Sequence, residues 1–251
     1  MKDLMFFDAA CGVGDTITGP RPGVSALLAE MDRCGVDRAL VKHNGTASLG
    51  AENANEKICQ MLGDEDPERR LTGVWYILPT QCGELPEPDA FFAAMKESRA
   101  RAISLDPYAH RYVACRLTIG KYLDAAQKLR VPVLLDCFSG KWNELYAFLQ
   151  EFPDLLCIFH GGEKWGNDRY IRPLLEAYPN SHLEYSGYWV PEGLRDLAEK
   201  YGAERLLFGS SFPRYNQGSA MLQLKQSGLD SDNIARIAGK NLEQMLSEAL
   251  S

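Results

Sequence analysis

Ionisable side chains stand at the ends of three short apolar runs in this sequence. Asp136 follows "VPVLL", His160 follows "LLCIF", and Glu184 lies within "SHLEYSG". A histidine beside a carboxylate can transfer protons near neutral pH, because the carboxylate selects the imidazole tautomer and raises the imidazole pKa. We therefore expect all three residues to be catalytic, with His160 as the general acid or base and Asp136 or Glu184 positioning it.

The two carboxylates need partners if they point into a buried cavity, because an unpaired buried charge is unfavourable. His160, Lys42 and Arg214 are the candidate partners. Such a cluster would form a polar pocket above an apolar core, and we expect it to bind a small molecule.

Other side chains near the ends of the apolar runs are suited to substrate binding. Arginine and lysine hold anionic groups through charged hydrogen bonds. The predicted substrate-binding residues are Arg214, Lys164, Trp165, Tyr188, Ser211 and His43. Ser211 as a nucleophile activated by His160 is an alternative, although "GSSFP" lacks the sharp Gly-x-Ser-x-Gly turn of serine hydrolases.

Eight apolar runs without polar alternation are separated by segments of helical periodicity. We predict strands at 4–10, 38–43, 71–78, 100–107, 131–137, 155–161, 181–187 and 205–209. Predicted helices cover 22–34, 52–63, 89–99, 120–130, 141–151, 168–178 and 192–202, with closing helices at 218–227 and 231–246.

Apolar strands that alternate with helices are typical of a parallel sheet covered by helices. Eight such units in 251 residues predict an α/β protein of the (β/α)8 TIM-barrel class, with residues 1–251 in a single domain. An open doubly wound sheet is the alternative. Barrel enzymes carry their sites at the carboxyl ends of the strands, where the ionisable residues stand.

Composition limits the classes of partner. The formal net charge is −7, and no lysine- or arginine-rich run is present, which argues against nucleic acid and anionic membranes. No apolar stretch approaches the roughly 18 residues of a membrane span. The seven cysteines are odd in number and not closely paired, so we expect free thiols in a cytoplasmic protein. A homodimer is the default expectation for assembly.

Five segments together resemble the amidohydrolase superfamily, in particular the amidohydrolase-related group that includes carboxylic-acid decarboxylases. In chain order they are "FFDAACGVGD", "VPVLLDC", "CIFHGG", "RLLFGSSFP" and "IARIAGKNLEQML". The resemblance runs from residue 4 to residue 246. It implies a TIM-barrel hydrolase or lyase acting on lactones, amides or aromatic carboxylic acids.

The sequence departs from this family at the positions that hold the family's metal. Ala10 and Gly12 stand where the resemblance implies the two histidines of strand one. Asp136 replaces the histidine of strand five, and Ser211 replaces the aspartate of strand eight. His160 alone is retained. A catalytic zinc takes three protein ligands, so we predict no metal site and no cofactor. A divalent metal such as zinc in a site rebuilt from Asp8, Asp136, His160 and Glu184 is the alternative.

Three functions remain open on the sequence. The first is a metal-independent hydrolase or lyase for a small carboxylated or lactone-like substrate. The second is a non-catalytic barrel that binds a small ligand or a partner, and the third is a metal-dependent hydrolase with a rebuilt site. The ionisable groups kept near the strand ends, Glu163 among them, favour an enzyme. No role is assigned to the loop 43–53.

Overall fold

The computed structural model describes residues 4–136, 140–161 and 164–251. Eight strands form one parallel sheet in which each strand pairs with the next along the chain. They are Phe7–Val13 (β1), Arg38–His43 (β2), Leu71–Tyr76 (β3), Ala100–Leu105 (β4), Val133–Leu135 (β5), Cys157–Phe159 (β6), Ser181–Glu184 (β7) and Leu206–Leu207 (β8). Each overlaps its predicted range.

The sheet closes because the segment after β8 contacts β1. The backbone N–H of Ala9 donates to the Phe208 carbonyl at 2.9 Å. The N–H of Gly12 donates to the Phe212 carbonyl at 2.8 Å. The predicted (β/α)8 barrel is therefore confirmed, and the open sheet is excluded.

Helices occupy the segments between the strands and the segment after β8. They are Val24–Cys34 (α1), Thr46–Leu49 (α2), Ala51–Glu65 (α3), Pro88–Glu97 (α4), Arg116–Lys128 (α5), Trp142–Glu151 (α6), Asp168–Ala177 (α7), Gly193–Tyr201 (α8), Gln217–Lys225 (α9), Ser231–Ala235 (α10) and Asn241–Glu248 (α11). A π-helical segment, Arg236–Lys240, joins α10 to α11. Within the described ranges no helix has the length and apolar character of a membrane span.

The barrel interior is filled by an apolar layer. It contains Phe7, Ala9, Leu40, Val74, Ala102, Leu134, Ile158 and Leu207. Leu242, Met245 and Leu246 of α11 pack in the same cluster with Leu156, which immediately precedes β6. The closing helix therefore covers the amino ends of the strands and leaves the carboxyl ends as the open mouth.

The cysteine prediction agrees with the structure where it can be compared. Cys11, Cys34, Cys59, Cys82, Cys115 and Cys157 are all free thiols. Cys137 lies outside the described residues.

Candidate active site in the mouth of the barrel

The inward-facing side chains of the barrel change from apolar to polar between one inward position of a strand and the next, which lies two residues later. Side chains along a strand alternate between its two faces, so the residue two positions after each inner apolar residue also points inward. Leu40 is thus followed by Lys42, Leu134 by Asp136, and Ile158 by His160. The same spacing that fills the core therefore places a cation, a carboxylate and an imidazole above it.

These side chains line a cavity of about 260 Å³ at the carboxyl ends of the strands. The full lining is Ala10, Cys11, Gly12, Lys42, Asn44, Leu134, Asp136, His160, Gly161, Ser211, Phe212, Pro213 and Arg214. Four of the predicted site residues, Asp136, His160, Ser211 and Arg214, thus meet at one cavity. This volume lies just below the roughly 300–1,000 Å³ of typical ligand pockets, so the cavity limits a ligand to a small molecule.

The His160 imidazole is neutral and without a hydrogen-bond partner on one side. The residue is 4% exposed, and Nε2 is buried with no partner in the described part of the chain. Burial lowers the pKa of His160 well below its usual value, and the nearby Lys42 and Lys164 lower it further. The expectation that a carboxylate raises this pKa is wrong, because burial and the two cations outweigh any carboxylate.

Asp136 lies on the same wall and is affected by three cations. Burial raises the pKa of Asp136, while Lys42, Lys164 and Arg214 oppose that rise. Its carboxylate fits against Gly161, where an added Cβ would lie 2.5 Å from Oδ1. Gly161 also has a φ of +65°, so both space and backbone conformation favour glycine there.

Lys42 is a cationic residue of the cavity whose amine makes no hydrogen bond or ion pair with the described residues. Its Nζ lies 6.0 Å from the centroid of the Tyr76 ring, and its pKa is lowered by burial and raised by Asp136 and Asp106. The predicted substrate-binding set omits this lysine. The two-residue spacing from Leu40 is the sequence signal that places it in the mouth.

Glu184 and Lys164 form a buried ion pair behind the cavity wall. Lys164 Nζ donates to Glu184 Oε2 at 3.2 Å and to the Ser186 carbonyl at 2.8 Å. Ser186 donates to Glu184 through both its backbone N–H and its hydroxyl. The Ser186 and Ser211 hydroxyl oxygens are 2.6 Å apart. Glu184 is thus fully occupied in joining the ends of β7 and β8, and it lies outside the cavity lining, as does Lys164.

Asp8 lies on the outer face of the barrel rather than in its mouth. Its carboxylate accepts hydrogen bonds from the Ala10 and Ser210 backbone N–H groups, both at 3.0 Å. It also accepts from Ser210 Oγ at 2.5 Å and from Gln217 Nε2 at 2.9 Å. Four donors explain how a carboxylate is tolerated there. Asp8 ties β1 to the β8 end and α9, and it does not join Asp136 and His160.

Besides Lys164, three further residues predicted to bind substrate do not line the cavity. His43 follows the inward-facing Lys42 and so lies on the other face of β2, where its Nδ1 accepts from the Gly45 N–H at 3.0 Å. Tyr188 donates its hydroxyl to Asp168 at 2.5 Å, and Trp165 is 66% exposed. Glu163 lies outside the described residues.

Comparison with known proteins identifies the family. The amidohydrolase family model matches residues 52–246, which is more than half of the chain. The protein therefore belongs to the amidohydrolase family, as the sequence motifs predict. Comparison with curated protein sequences gives no significant match.

Solved structures share the fold at low sequence identity. A dihydroxybenzoic acid decarboxylase from Polaromonas sp. JS666, with bound manganese and the inhibitor 2-nitroresorcinol, has 15% identity and a TM-score of 0.73, covering 98% of this chain and 97% of that one. A probable 2-pyrone-4,6-dicarboxylic acid hydrolase from Acinetobacter baumannii has 15% identity and a TM-score of 0.70, covering 96% and 99%. A 5-carboxyvanillate decarboxylase from Sphingomonas paucimobilis has 16% identity and a TM-score of 0.66, covering 98% and 99%.

The described residues of this mouth offer few donors for the divalent metal that the family implies. Asn44 fills the space beside Gly12, where an added Cβ would lie 2.1 Å from its Oδ1. The Ser211 hydroxyl is hydrogen-bonded to the Ser186 hydroxyl. Among the described residues that line the cavity, Cys11, Asp136 and His160 carry the side chains best suited to bind a metal, and Lys42 is a competing cation. Among residues 4–136, 140–161 and 164–251, no three His, Cys, Asp or Glu side chains form a metal-binding group.

Proposed function

We propose that this protein is a hydrolase or lyase for a small carboxylated substrate, which binds in the barrel mouth and reacts without the family's usual metal site. Membership of the amidohydrolase family supports the general class, as do neighbours described as decarboxylases and a hydrolase of small carboxylated compounds. The substrate is a small molecule, and neither nucleic acid nor a membrane is part of the proposal.

The observation that carries the proposal is the His160 imidazole, which is neutral and lacks a described partner for Nε2 at the cavity wall. A neutral imidazole can accept a proton from water or substrate. Asp136, whose pKa is raised, keeps its proton to a higher pH than an exposed aspartate does and can therefore supply it to a substrate. The two groups therefore supply a base and an acid on one wall of the cavity.

The cationic side chains would orient the substrate. Arg214 and Lys42 line the cavity, and their charges favour a carboxylate there. The buried Lys164 adds to the positive electrostatic potential of the cavity. It does not occupy the cavity, because its amine is hydrogen-bonded to Glu184 and to the Ser186 carbonyl. Ser211 shapes the wall through its bond to Ser186.

A non-catalytic ligand-binding barrel is the second candidate. The cavity of about 260 Å³ is compatible with either role. An inert binding pocket, however, gives no reason for a buried imidazole whose Nε2 has no partner among the described residues, since buried polar groups are normally hydrogen-bonded. This observation favours the enzyme.

The His160→Asn variant tests the proposal on a panel of aromatic carboxylic acids, keto acids and lactones, with release of CO2 or hydrolysis as the readout. We expect kcat to fall about 100-fold or more, the range typical for loss of a general acid–base. His182→Asn is the matched control, because the half-buried His182 also has a pKa lowered by burial but lines a separate cavity at the amino end of the barrel. Equal activity of wild type and His160→Asn on every turned-over substrate would contradict the role of His160.

Metal content is measured on the same preparations. We expect turnover to survive dialysis against a chelator. Loss of activity on dialysis, restored by manganese or zinc, would overturn the metal-independent part of the proposal and leave the carboxylated substrate class intact.

A further inference from the structure

We propose that the Lys42 amine is a nucleophile that forms an imine with the carbonyl group of a small keto acid. The inference rests on the proposed function, since it requires the same substrate site, and it narrows that function to a lyase. The protonated imine formed on Lys42 would be the electron sink of the reaction.

The contacts of Lys42 differ from those of Lys164, the lysine behind the cavity wall. The Lys164 amine donates hydrogen bonds to Glu184 and to the Ser186 carbonyl, and the Lys164 side chain is 1% exposed. Lys42 lines the cavity and makes no hydrogen bond or ion pair within the described part of the chain. Its amine is therefore reachable by a substrate and is not committed to a structural bond.

The burial of Lys42 increases the fraction of its amine that is free, which is the nucleophilic form. Burial is the largest influence on its pKa and lowers it, whereas the carboxylates of Asp136 and Asp106 raise it. Lysines that form imines in enzymes are activated by such desolvation. The apolar layer beneath the mouth, which includes Leu40 two residues before Lys42, supplies the desolvation here.

Proton carriers lie on the same cavity wall. Imine formation requires a proton to leave the attacking nitrogen and others to reach the departing oxygen. The neutral His160 can accept the first, and the Asp136 carboxyl, with its raised pKa, can donate. Both residues line the cavity with Lys42.

The steps balance for a β-keto acid. The Lys42 Nζ lone pair attacks the carbonyl carbon, a proton passes from nitrogen to oxygen, and a second proton lets that oxygen leave as water, giving a protonated imine. The bond to the carboxylate carbon then breaks, its electron pair forms an enamine, and CO2 leaves. Protonation of the enamine carbon and addition of water release the ketone and the free amine. The net reaction consumes one proton from solvent.

Reductive trapping tests the inference directly. The full chain is incubated with acetoacetate and sodium cyanoborohydride, and the products are digested with trypsin for mass spectrometry. We expect one reduced acetoacetate or acetone adduct per chain, on Lys42. Because a modified lysine resists trypsin, the adduct appears in the peptide 39–57, with the cut after Lys42 lost. Lys42→Arg removes the adduct, whereas Lys57→Arg, which changes an exposed lysine on α3, keeps it.

The outcomes distinguish this inference from the function on which it rests. No adduct, or adducts spread over surface lysines, together with turnover of the acid panel that depends on His160 would overturn the imine and leave the proposed function standing. Absence of both an adduct on Lys42 and turnover of any panel member would overturn both. Trapping on the wild-type chain stays decisive even if Lys42→Arg fails to fold.

Discussion

At the scale of single residues, burial governs the charge states of the inward-facing groups. His160 at the mouth and His182 at the amino end both have a lowered pKa with burial as the largest cause. At the mouth the cations Lys42 and Lys164 act in the same direction. His160, which the sequence predicts to be paired with a carboxylate, is therefore neutral in the fold, because the imidazole loses its hydration and two cations lie close to it.

His182 gives a prediction about stability and pH. Burial, followed by Arg205, lowers its pKa to about 4 from the ordinary 6.5. Between these values the unfolded chain binds the proton and the folded chain does not, so the free energy of unfolding falls as the pH drops from 6.5 towards 4. We expect His182→Asn to lose part of that dependence. Urea unfolding of both proteins at pH 7 and pH 5 measures it, and identical differences between the two pH values would contradict the assignment.

At the scale of structural elements, the ends of β7 and β8 form one buried unit. Glu184, Lys164 and Ser186 are linked by hydrogen bonds, and Ser211 is attached to them through Ser186. Removing one partner of such a pair leaves an uncompensated buried charge. This unit fixes the cavity wall, and its Lys164 amine lowers the pKa of both His160 and Asp136 from behind that wall.

Gly209 is the element-scale test of that unit. An added Cβ would lie 2.4 Å from Glu184 Cγ and from Oε1, so Gly209→Ala must displace the carboxylate. We expect a loss of about 1–3 kcal/mol in the free energy of unfolding, as for other overpacked sites. Gly63→Ala on α3 is the control, because nothing lies within 4 Å of its added Cβ and alanine favours helix by up to about 1 kcal/mol. Equal effects of the two substitutions in chemical denaturation would show that the Glu184 carboxylate is not confined.

At the scale of the whole molecule, the barrel is closed at one end and open at the other. The closing helix α11 packs on the inner apolar layer with Leu242, Met245 and Leu246. Since that end is covered, a ligand reaches the interior through the opposite end, where the polar layer stands. The homodimer and the cytoplasmic location stay predictions.

Leu242 tests the role of α11 as the cover of the barrel. The residue is 1% exposed and belongs to the inner cluster, so Leu242→Ala leaves a cavity and we expect a loss of about 2–5 kcal/mol. Leu222→Ala on α9 removes the same atoms from a side chain that is 55% exposed, and we expect a change within about 0.5 kcal/mol. Guanidinium unfolding of both variants makes the comparison. Similar losses for the two would mean that α11 adds little to the interior.

The sequence by itself determined the barrel and part of its mouth. Eight apolar runs predicted eight strands, because a parallel sheet buried on both faces needs continuous apolar segments. The strand pattern also predicted that Asp136, His160, Ser211 and Arg214 lie near one another, because the carboxyl ends of all strands meet at one end of a barrel. The motifs predicted the family that the family model identifies.

Only the tertiary structure decided which ionisable residues face the cavity and in what charge state. Strand alternation, read from the inner layer, separates Lys42 from His43. The contacts of Glu184 with Lys164 and Ser186 come from segments 20 residues apart or from the turn after β7, and no local pattern encodes them. The pKa of His160 depends on burial and on two lysines, one on β2 and one in the segment after β6. Such long-range electrostatics exist only once the barrel has closed.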